Sequence, residues 1–111
     1  MSNLAGKPPL GQKSPPARSR AITTSARDET CTLGLDGCDH NLTVVFCHLR
    51  VFSWGGMGMK PDDFLGVYAC HNCHAMLDGR TGEHPVSHSD ILRALGATLR
   101  RLYAKGLLSV G

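Results

Sequence analysis

The chain has 111 residues, a formal net charge of +3 and only 5% aromatic residues. A chain this short buries little apolar surface, which argues against a large sandwich or barrel core and favours a small fold stabilised by a metal ion. No stretch approaches the roughly 20 apolar residues of a membrane helix, and the N-terminal residues lack the apolar run of a signal peptide. We therefore expect a cytoplasmic protein without a membrane-spanning segment.

The first part of the chain, residues 1–26, is basic and rich in proline. It contains Lys7, Lys13, Arg18 and Arg20 together with four prolines, and it has no acidic residue. Because it also lacks apolar periodicity, we expect a disordered arm that precedes one folded domain over residues 27–111. Such an arm is either a solvated tail or a contact to the phosphates of a nucleic acid.

Two pairs of cysteines predict a metal site. The first pair encloses the turn CTLGLDGC, in which Gly34 and Gly37 allow the backbone to bend tightly, as in a zinc knuckle. In a reducing compartment, paired cysteines are more often metal ligands than disulfides. Disulfide bonding or simple burial is the alternative. We expect a structural Zn²⁺ ion bound by four cysteines: Cys31, Cys38, Cys70 and Cys73.

The segment between the two cysteine pairs predicts two strands and a loop. Residues 42–46 are rich in β-branched side chains, and residues 48–52 continue this strand or begin its return. Residues 53–61 contain three glycines and a proline, which predicts a loop. Residues 64–69 predict a second strand that leads into the CHNC motif.

Two helices are predicted after the second strand. The sequence HAMLD predicts a short helix that ends at Gly79. Ser89 is a candidate N-cap for a longer helix that ends before Gly106. The fold class is therefore α+β. The longer helix has an apolar stripe of Ile91, Leu92, Leu95, Leu99, Leu102 and Tyr103, and basic residues suited to DNA at Arg93, Arg100, Arg101 and Lys105.

Two histidines fall close to the predicted zinc site. His48 lies beside the first strand, and His74 directly follows the last zinc cysteine. His74 and Asp78 are four residues apart, so a helix would place both side chains on one face, about 6 Å apart, where they can share a second divalent metal. The alternative is that His74 packs beside the zinc site and Asp78 is a solvated turn residue.

The chain contains, in order, a cysteine pair, a histidine on a predicted strand, a glycine-containing loop and CxxCH at the start of a predicted helix. This order resembles that of the HNH, or ββα-metal, nucleases in their treble-clef zinc form. The sequence is most similar to short proteins of lambdoid phages and prophages, a family of unknown function with a nuclease domain. The matching features are the C-x6-C pair, HLR, GMGMKP and ACHNCHAMLD, at residues 31–38, 48–50, 56–61 and 69–78. The resemblance covers residues 27–105.

The resemblance implies a metal-dependent DNA endonuclease, encoded by a phage or prophage and acting in DNA recombination or replication in the bacterial host cytoplasm. His48 would be the general base that deprotonates the attacking water. Arg50, two residues further along the strand, would contact a phosphate oxygen. A catalytic Mg²⁺ or Mn²⁺ would be bound by His74 and Asp78, with His84 as an additional ligand.

Two positions depart from the common HNH pattern. Many members have an acidic ligand directly before the general base, where this chain has Cys47, which we expect to face the core. Many also have an asparagine where this chain has Leu65. Asp62 and Asp63 are the nearest polar residues that can orient His48 or complete the metal shell, or they are only turn residues. The alternative function is a non-catalytic zinc module that binds nucleic acid or a phage or host protein.

Overall fold

The computed structural model describes residues 15–40, 43–51, 54, 59–79 and 86–111. Within them the elements follow the order α1 (Arg20–Thr24), β1 (Val45–His48), β2 (Gly66–Ala69), α2 (His71–Leu77) and α3 (His88–Ala104). The predicted α+β class and the succession of strand, strand and two helices are confirmed. None of the helices in this described part of the chain is long and apolar enough to cross a bilayer.

Strands β1 and β2 form an antiparallel pair in which Cys47 lies opposite Val67 and His48 lies opposite Gly66. The predicted first strand is displaced, since β1 begins at Val45 and includes His48. A Cβ atom on Gly66 would lie 2.7 Å from the carbonyl oxygen of Cys47 and would overlap the Phe46 ring. Glycine at this position therefore allows the two strands to approach each other beside His48.

Strand β2 is buried on both faces and separates two apolar clusters. Val67 belongs to the cluster that contains Leu95 of α3, whereas Tyr68 belongs to the cluster that contains Leu102 of α3 and Ile22 of α1. This division follows from the alternation of side chains along a strand. Helix α3 thus contributes to both clusters and fixes the hairpin against the rest of the domain.

The apolar stripe predicted on α3 is wrong at two positions. Leu92 and Tyr103 are exposed, with relative exposures of 70% and 48%. Ala94 and Thr98 lie on the buried face instead. The buried face is therefore rotated around the helix axis relative to the predicted stripe, toward Ala94 and Thr98.

Helix α3 begins earlier than the sequence predicts. The hydroxyl of Ser87 accepts a hydrogen bond from the Asp90 backbone N–H at 3.0 Å, so Ser87 is the N-cap and the predicted cap, Ser89, lies in the first turn. At the other end, Gly106 has a φ of +76°, which confirms the predicted glycine after the last turn.

Helix α2 also begins earlier, at His71, because Cys70 is its N-cap. The sulfur of Cys70 accepts a hydrogen bond from the Cys73 backbone N–H at 3.4 Å. The helix therefore begins inside the CHNC motif, and it ends before Gly79, which has a φ of +77°. A sequence pattern of apolar residues could not reveal this start, since the capping atom is a thiol.

Helix α1 lies within residues 1–26, where the sequence predicts a disordered arm. Ser19 caps it by accepting a hydrogen bond from the Ile22 backbone N–H at 3.2 Å. Ile22 and Ala26 are buried, and the Ser25 hydroxyl lies 2.7 Å from the Tyr68 hydroxyl. The packed part of the chain therefore begins before residue 27, while residues 1–14 lie outside the described residues.

Candidate functional site

The four cysteines predicted to bind zinc come together at one point. Their sulfur atoms all lie within 4.8 Å of one another, and the sulfurs of Cys38 and Cys70 are 3.8 Å apart. A tetrahedral zinc ion with Zn–S bonds of about 2.3 Å needs sulfurs about 3.8 Å apart. No cysteine of the chain forms a disulfide. The donor set and its spacing therefore fit a metal ion such as zinc.

The turn that carries the first cysteine pair is held from two sides. Gly34 and Gly37 have φ angles of +59° and +87°, which confirms the tight turn expected from the two glycines. The side-chain amide of Asn72 in α2 donates to the Gly37 carbonyl at 2.8 Å. Arg93 of α3 donates to the Leu33 carbonyl at 2.7 Å. Both helices therefore help to fix the turn.

Burial opposes the ionisation of two thiols of the four-cysteine cluster, those of Cys38 and Cys73. Burial, followed by the neighbouring thiols of Cys31 and Cys70, raises the pKa of Cys73. Burial likewise raises the pKa of Cys38. Burial also acts to raise the pKa of Cys31, but backbone N–H groups, first that of Gly34, outweigh it and lower the pKa. Four adjacent thiolates need a compensating charge, which a divalent cation supplies.

A second group of metal-binding side chains lies beside the sheet. Donor atoms of Cys47, His74 and Asp78 lie within 4.8 Å of one another. His74 Nε2 is 3.2 Å from Asp78 Oδ2, so the structure brings together the two residues predicted to share a helix face. Cys47 is buried in the core as expected. Its sulfur also lies beside the other two side chains, a proximity that the sequence does not predict.

The predicted catalytic residues line one cleft of about 360 Å³. His48 ends β1 and Arg50 lies just beyond it, whereas His74 lies in α2 and Asp78 directly follows that helix. The remaining lining residues are Phe46, Cys47, Leu49, Val51 and Leu77. His84, predicted as an additional metal ligand, lies outside the described residues.

His48 is held by a buried carboxylate. Its Nε2 lies 2.8 Å from Oδ1 of Asp63, and Asp63 is only 4% exposed. Oδ2 of Asp63 accepts the Ser19 backbone N–H at 2.6 Å. Burial acts to raise the pKa of Asp63, but the hydrogen bonds from His48 and Ser19 and the charge of Arg18 outweigh it and lower the pKa. Asp63 is therefore a carboxylate at neutral pH.

The carboxylate of Asp63 determines which nitrogen of the His48 ring carries a proton. A carboxylate only accepts hydrogen bonds, so Nε2 carries a proton, and in the neutral ring the free electron pair is on Nδ1. Of the two aspartates considered from the sequence, Asp63 makes this contact. Asp62 instead accepts the Ala17 backbone N–H at 2.6 Å.

The contacts that hold the aspartate turn come from residues 17–19, inside the predicted disordered arm. Arg18 donates to the Pro61 carbonyl at 2.7 Å and to the Lys60 carbonyl at 3.0 Å. It also approaches Asp63 Oδ1 at 3.4 Å. These residues lie 42 to 45 positions from their partners, and no local sequence pattern predicts such a contact.

Arg50 lies at the rim of the cleft and is exposed. One nitrogen of its guanidinium group donates to the Met59 carbonyl at 3.0 Å. Because the Met59 carbonyl is an exposed backbone group, water or a phosphate oxygen can replace it as the acceptor at little cost in free energy.

Two of the basic residues expected to face DNA have an internal partner. The buried carboxylate of Glu29 accepts from Arg101 at 2.7 Å and from Lys105 at 2.6 Å. Burial acts to raise the pKa of Glu29, but the hydrogen bonds from Lys105 and Arg101 outweigh it and lower the pKa. This end of α3 keeps one net positive charge from the three groups, which is less than the sequence alone suggests.

The chain is similar to known proteins in sequence and in fold. A family model described as "Putative nuclease YbcO" matches residues 20–105. The fold is similar to a solved structure described as that of "a putative bacteriophage protein from Escherichia coli str. K-12 substr. MG1655". The sequence identity is 24%, the match covers 76% of this chain and 98% of the other, and the TM-score is 0.57. This likeness shows the fold alone. No curated protein matches the chain.

Proposed function

The chain belongs to the family described as "Putative nuclease YbcO", and on that premise we propose that it is a metal-dependent DNA endonuclease of the HNH type. We further propose that it is encoded by a phage or prophage and acts in DNA recombination or replication. One observation carries the proposal. A single cleft is lined by His48, whose Nε2 is hydrogen-bonded to the buried Asp63, and by His74 and Asp78.

In this proposal His48 is the general base. Its Nδ1 takes a proton from the water that attacks the scissile phosphorus, because Nε2 is already protonated and bonded to Asp63. Asp63 keeps the ring in this tautomer and stabilises the imidazolium that forms. The strength of this support comes from burial, since a carboxylate that is 4% exposed acts in a medium of low dielectric constant.

The residues that α2 contributes to the cleft would stabilise charge on the phosphate. A divalent cation held by His74 and Asp78, Mg²⁺ or Mn²⁺ by the resemblance, would supply positive charge against the scissile phosphate. Arg50 donates its planar set of N–H groups to a phosphate oxygen from the rim, in place of its present contact to Met59.

The four-cysteine zinc site supports the catalytic cleft indirectly. His74 directly follows the zinc ligand Cys73, and Cys70 caps the helix that carries both. Zinc bound to these cysteines therefore fixes the start of α2 and, with it, the distance between His74 and β1. This is why we assign the zinc a structural role and place the chemistry at the neighbouring cleft.

The proposed substrate is DNA, contacted mainly through its phosphates. The basic residues of the N-terminal segment and of α3 supply charge for this contact, and contacts to phosphate carry no sequence information. We therefore propose cleavage that depends on DNA structure more than on sequence, with an affinity that falls as salt rises.

The test is incubation of the purified protein with supercoiled plasmid, single-stranded DNA and branched DNA, each with Mg²⁺, Mn²⁺ or Zn²⁺ added separately. We expect cleavage of at least one form, and loss of cleavage in His48→Ala. His71→Ala is the control, because His71 is an exposed histidine of α2 that lies outside the cleft. An inactive parent protein that still binds DNA would favour the non-catalytic zinc module.

A further inference from the structure

We propose that Cys47 is a ligand of the second cation site, which is then built from a thiolate, an imidazole and a carboxylate. The proposal rests on the proposed function only in placing that cation at His74 and Asp78. It adds a third ligand and, as a consequence, a different preferred ion.

The spacing of the donor atoms suits one ion. A tetrahedral ion with bonds of about 2.0 Å separates nitrogen and oxygen donors by about 3.3 Å, and His74 Nε2 lies 3.2 Å from Asp78 Oδ2. The sulfur of Cys47 lies within 4.8 Å of a donor atom of each of these two residues. A tetrahedral zinc ion places sulfur about 3.5 Å from a nitrogen or oxygen ligand, so a shift of at most about 1.3 Å at the cysteine side chain brings all three to bonding distance.

Burial is graded across the three residues in a way that suits an open metal site. Cys47 is buried, His74 is half-buried and Asp78 is exposed. The ion would thus be closed off on the side of β1 and accessible from the cleft. Three protein ligands with one open position are the arrangement in which zinc sites bind water or substrate.

The position of Cys47 on β1 follows from the alternation of the strand. His48 is held by Asp63, whereas the preceding residue, Cys47, has its sulfur next to α2. Two neighbouring residues of one strand therefore have different roles: His48 is the base and Cys47 is the metal ligand. The absence of an acidic residue before His48 does not leave the metal site without a strand ligand.

A thiolate ligand changes the choice of metal. Mg²⁺ prefers oxygen ligands in octahedral geometry, whereas Zn²⁺ and Co²⁺ accept sulfur and nitrogen ligands in tetrahedral geometry. We infer that the site made by Cys47, His74 and Asp78 selects Zn²⁺ or Co²⁺ over Mg²⁺. The ion at the cleft then differs from the one that the family resemblance implies.

The experiment titrates Co²⁺ into protein that already holds one equivalent of zinc. Cobalt bound to a thiolate gives a charge-transfer absorption in the near ultraviolet, which reports the ligand directly. We expect a second equivalent of metal to bind with this absorption. In Cys47→Ala the absorption should disappear and the affinity for the second equivalent should fall by more than about tenfold, since even indirect partners of a ligand contribute that much.

If Cys47→Ala does not fold, two further variants still test whether Cys47 is a metal ligand. His74→Ala retains the cysteine and should lose the same absorption. Cys47→Asp, which replaces sulfur with a carboxylate oxygen, should shift the preference from Co²⁺ toward Mg²⁺ and Mn²⁺. Leu77→Ala is the matched control, because Leu77 lines the same cleft without a metal-binding atom, and its cobalt titration should match that of the parent.

The outcomes separate this inference from the proposed function. A second cobalt that binds the parent without the thiolate absorption, or an absorption that persists in Cys47→Ala, overturns the role of Cys47 even if the protein cuts DNA. A parent protein that shows the absorption and loses it in Cys47→Ala supports the ligand assignment even if every DNA substrate stays intact. Cleavage itself is decided by the plasmid and branched-DNA reactions.

Discussion

The Nε2 atom of His48 lies 2.8 Å from the carboxylate oxygen of Asp63, a residue buried to all but 4% of its surface. The two residues are 15 positions apart, with His48 at the end of β1 and Asp63 in the connection that leads to β2. Because the carboxylate is ionised and cannot donate, it leaves Nδ1 of His48 as the nitrogen that can accept a proton.

Replacing Asp63 with asparagine should slow DNA cleavage by at least about tenfold, since an amide can donate to Nε2 and stabilise the wrong tautomer of His48. The expected loss is in kcat, with KM for DNA and the zinc content unchanged. Asp62→Asn is the matched control, because Asp62 bonds the Ala17 backbone. Equal losses in both variants would show that the turn matters only for folding.

Replacing Arg18 with alanine should lower kcat several-fold with little change in thermal stability. Arg18 holds the backbone at Lys60 and Pro61 and approaches Asp63, so its loss loosens the group that orients His48. Arg20→Ala removes the same charge from an exposed position of α1. If both variants lose affinity for DNA equally and keep kcat, Arg18 acts through charge alone.

Glu29 should stabilise the domain in a way that depends on pH. Its folded pKa is lowered from 4.5, so its contribution is fully present above pH 4.5 and is lost as the pH falls through the lower folded value. Glu29→Gln should cost about 1–3 kcal/mol at pH 7. The difference from the parent protein should stay constant between pH 5 and 8 and shrink below pH 4.5.

The measurement is urea denaturation at each pH, with the zinc content determined alongside because acid releases thiolate-bound metal. Asp28→Asn, at an exposed neighbouring position, serves as the control. A difference that grows as the pH falls would show the opposite sign of linkage.

Cys70→Ser should leave the domain unfolded or aggregated. Cys70 is both a member of the four-cysteine cluster and the N-cap of α2, and metal ligation supplies much of the folding free energy in so small a core. Cys47→Ser should keep the zinc of the four-cysteine cluster. Metal analysis and thermal denaturation compare the two, and a Cys70→Ser protein with full zinc content and unchanged melting temperature would contradict the structural role.

The sequence predicts the parts of this fold that depend on local patterns. The CxxC spacing, the glycines of the first turn and Gly106 at the end of α3 each depend on backbone geometry within a few residues, and the structure agrees with them. His74 and Asp78 were also predictable, since a helix places residues four apart on one face.

The parts that the sequence does not predict depend on contacts between distant segments. Residues 17–19 contact Asp63 from more than 40 positions away in the sequence. The sulfur of Cys47 lies near Asp78 only because the hairpin packs against α2. Helix α1 was missed because five residues give too short a pattern to recognise. Tertiary packing, not propensity, decides these features.

Plasmid cleavage measured against Mn²⁺ concentration for the parent protein, His48→Ala and His74→Ala tests the central claim most directly. Loss of a positioned general base should slow cleavage by roughly 10²–10⁴-fold at every metal concentration, whereas loss of a metal ligand should be partly offset by excess Mn²⁺. We predict a flat, low rate for His48→Ala and a rate that rises with Mn²⁺ for His74→Ala. Cleavage at the parental rate by both variants would contradict the assignment of this cleft as a nuclease active site.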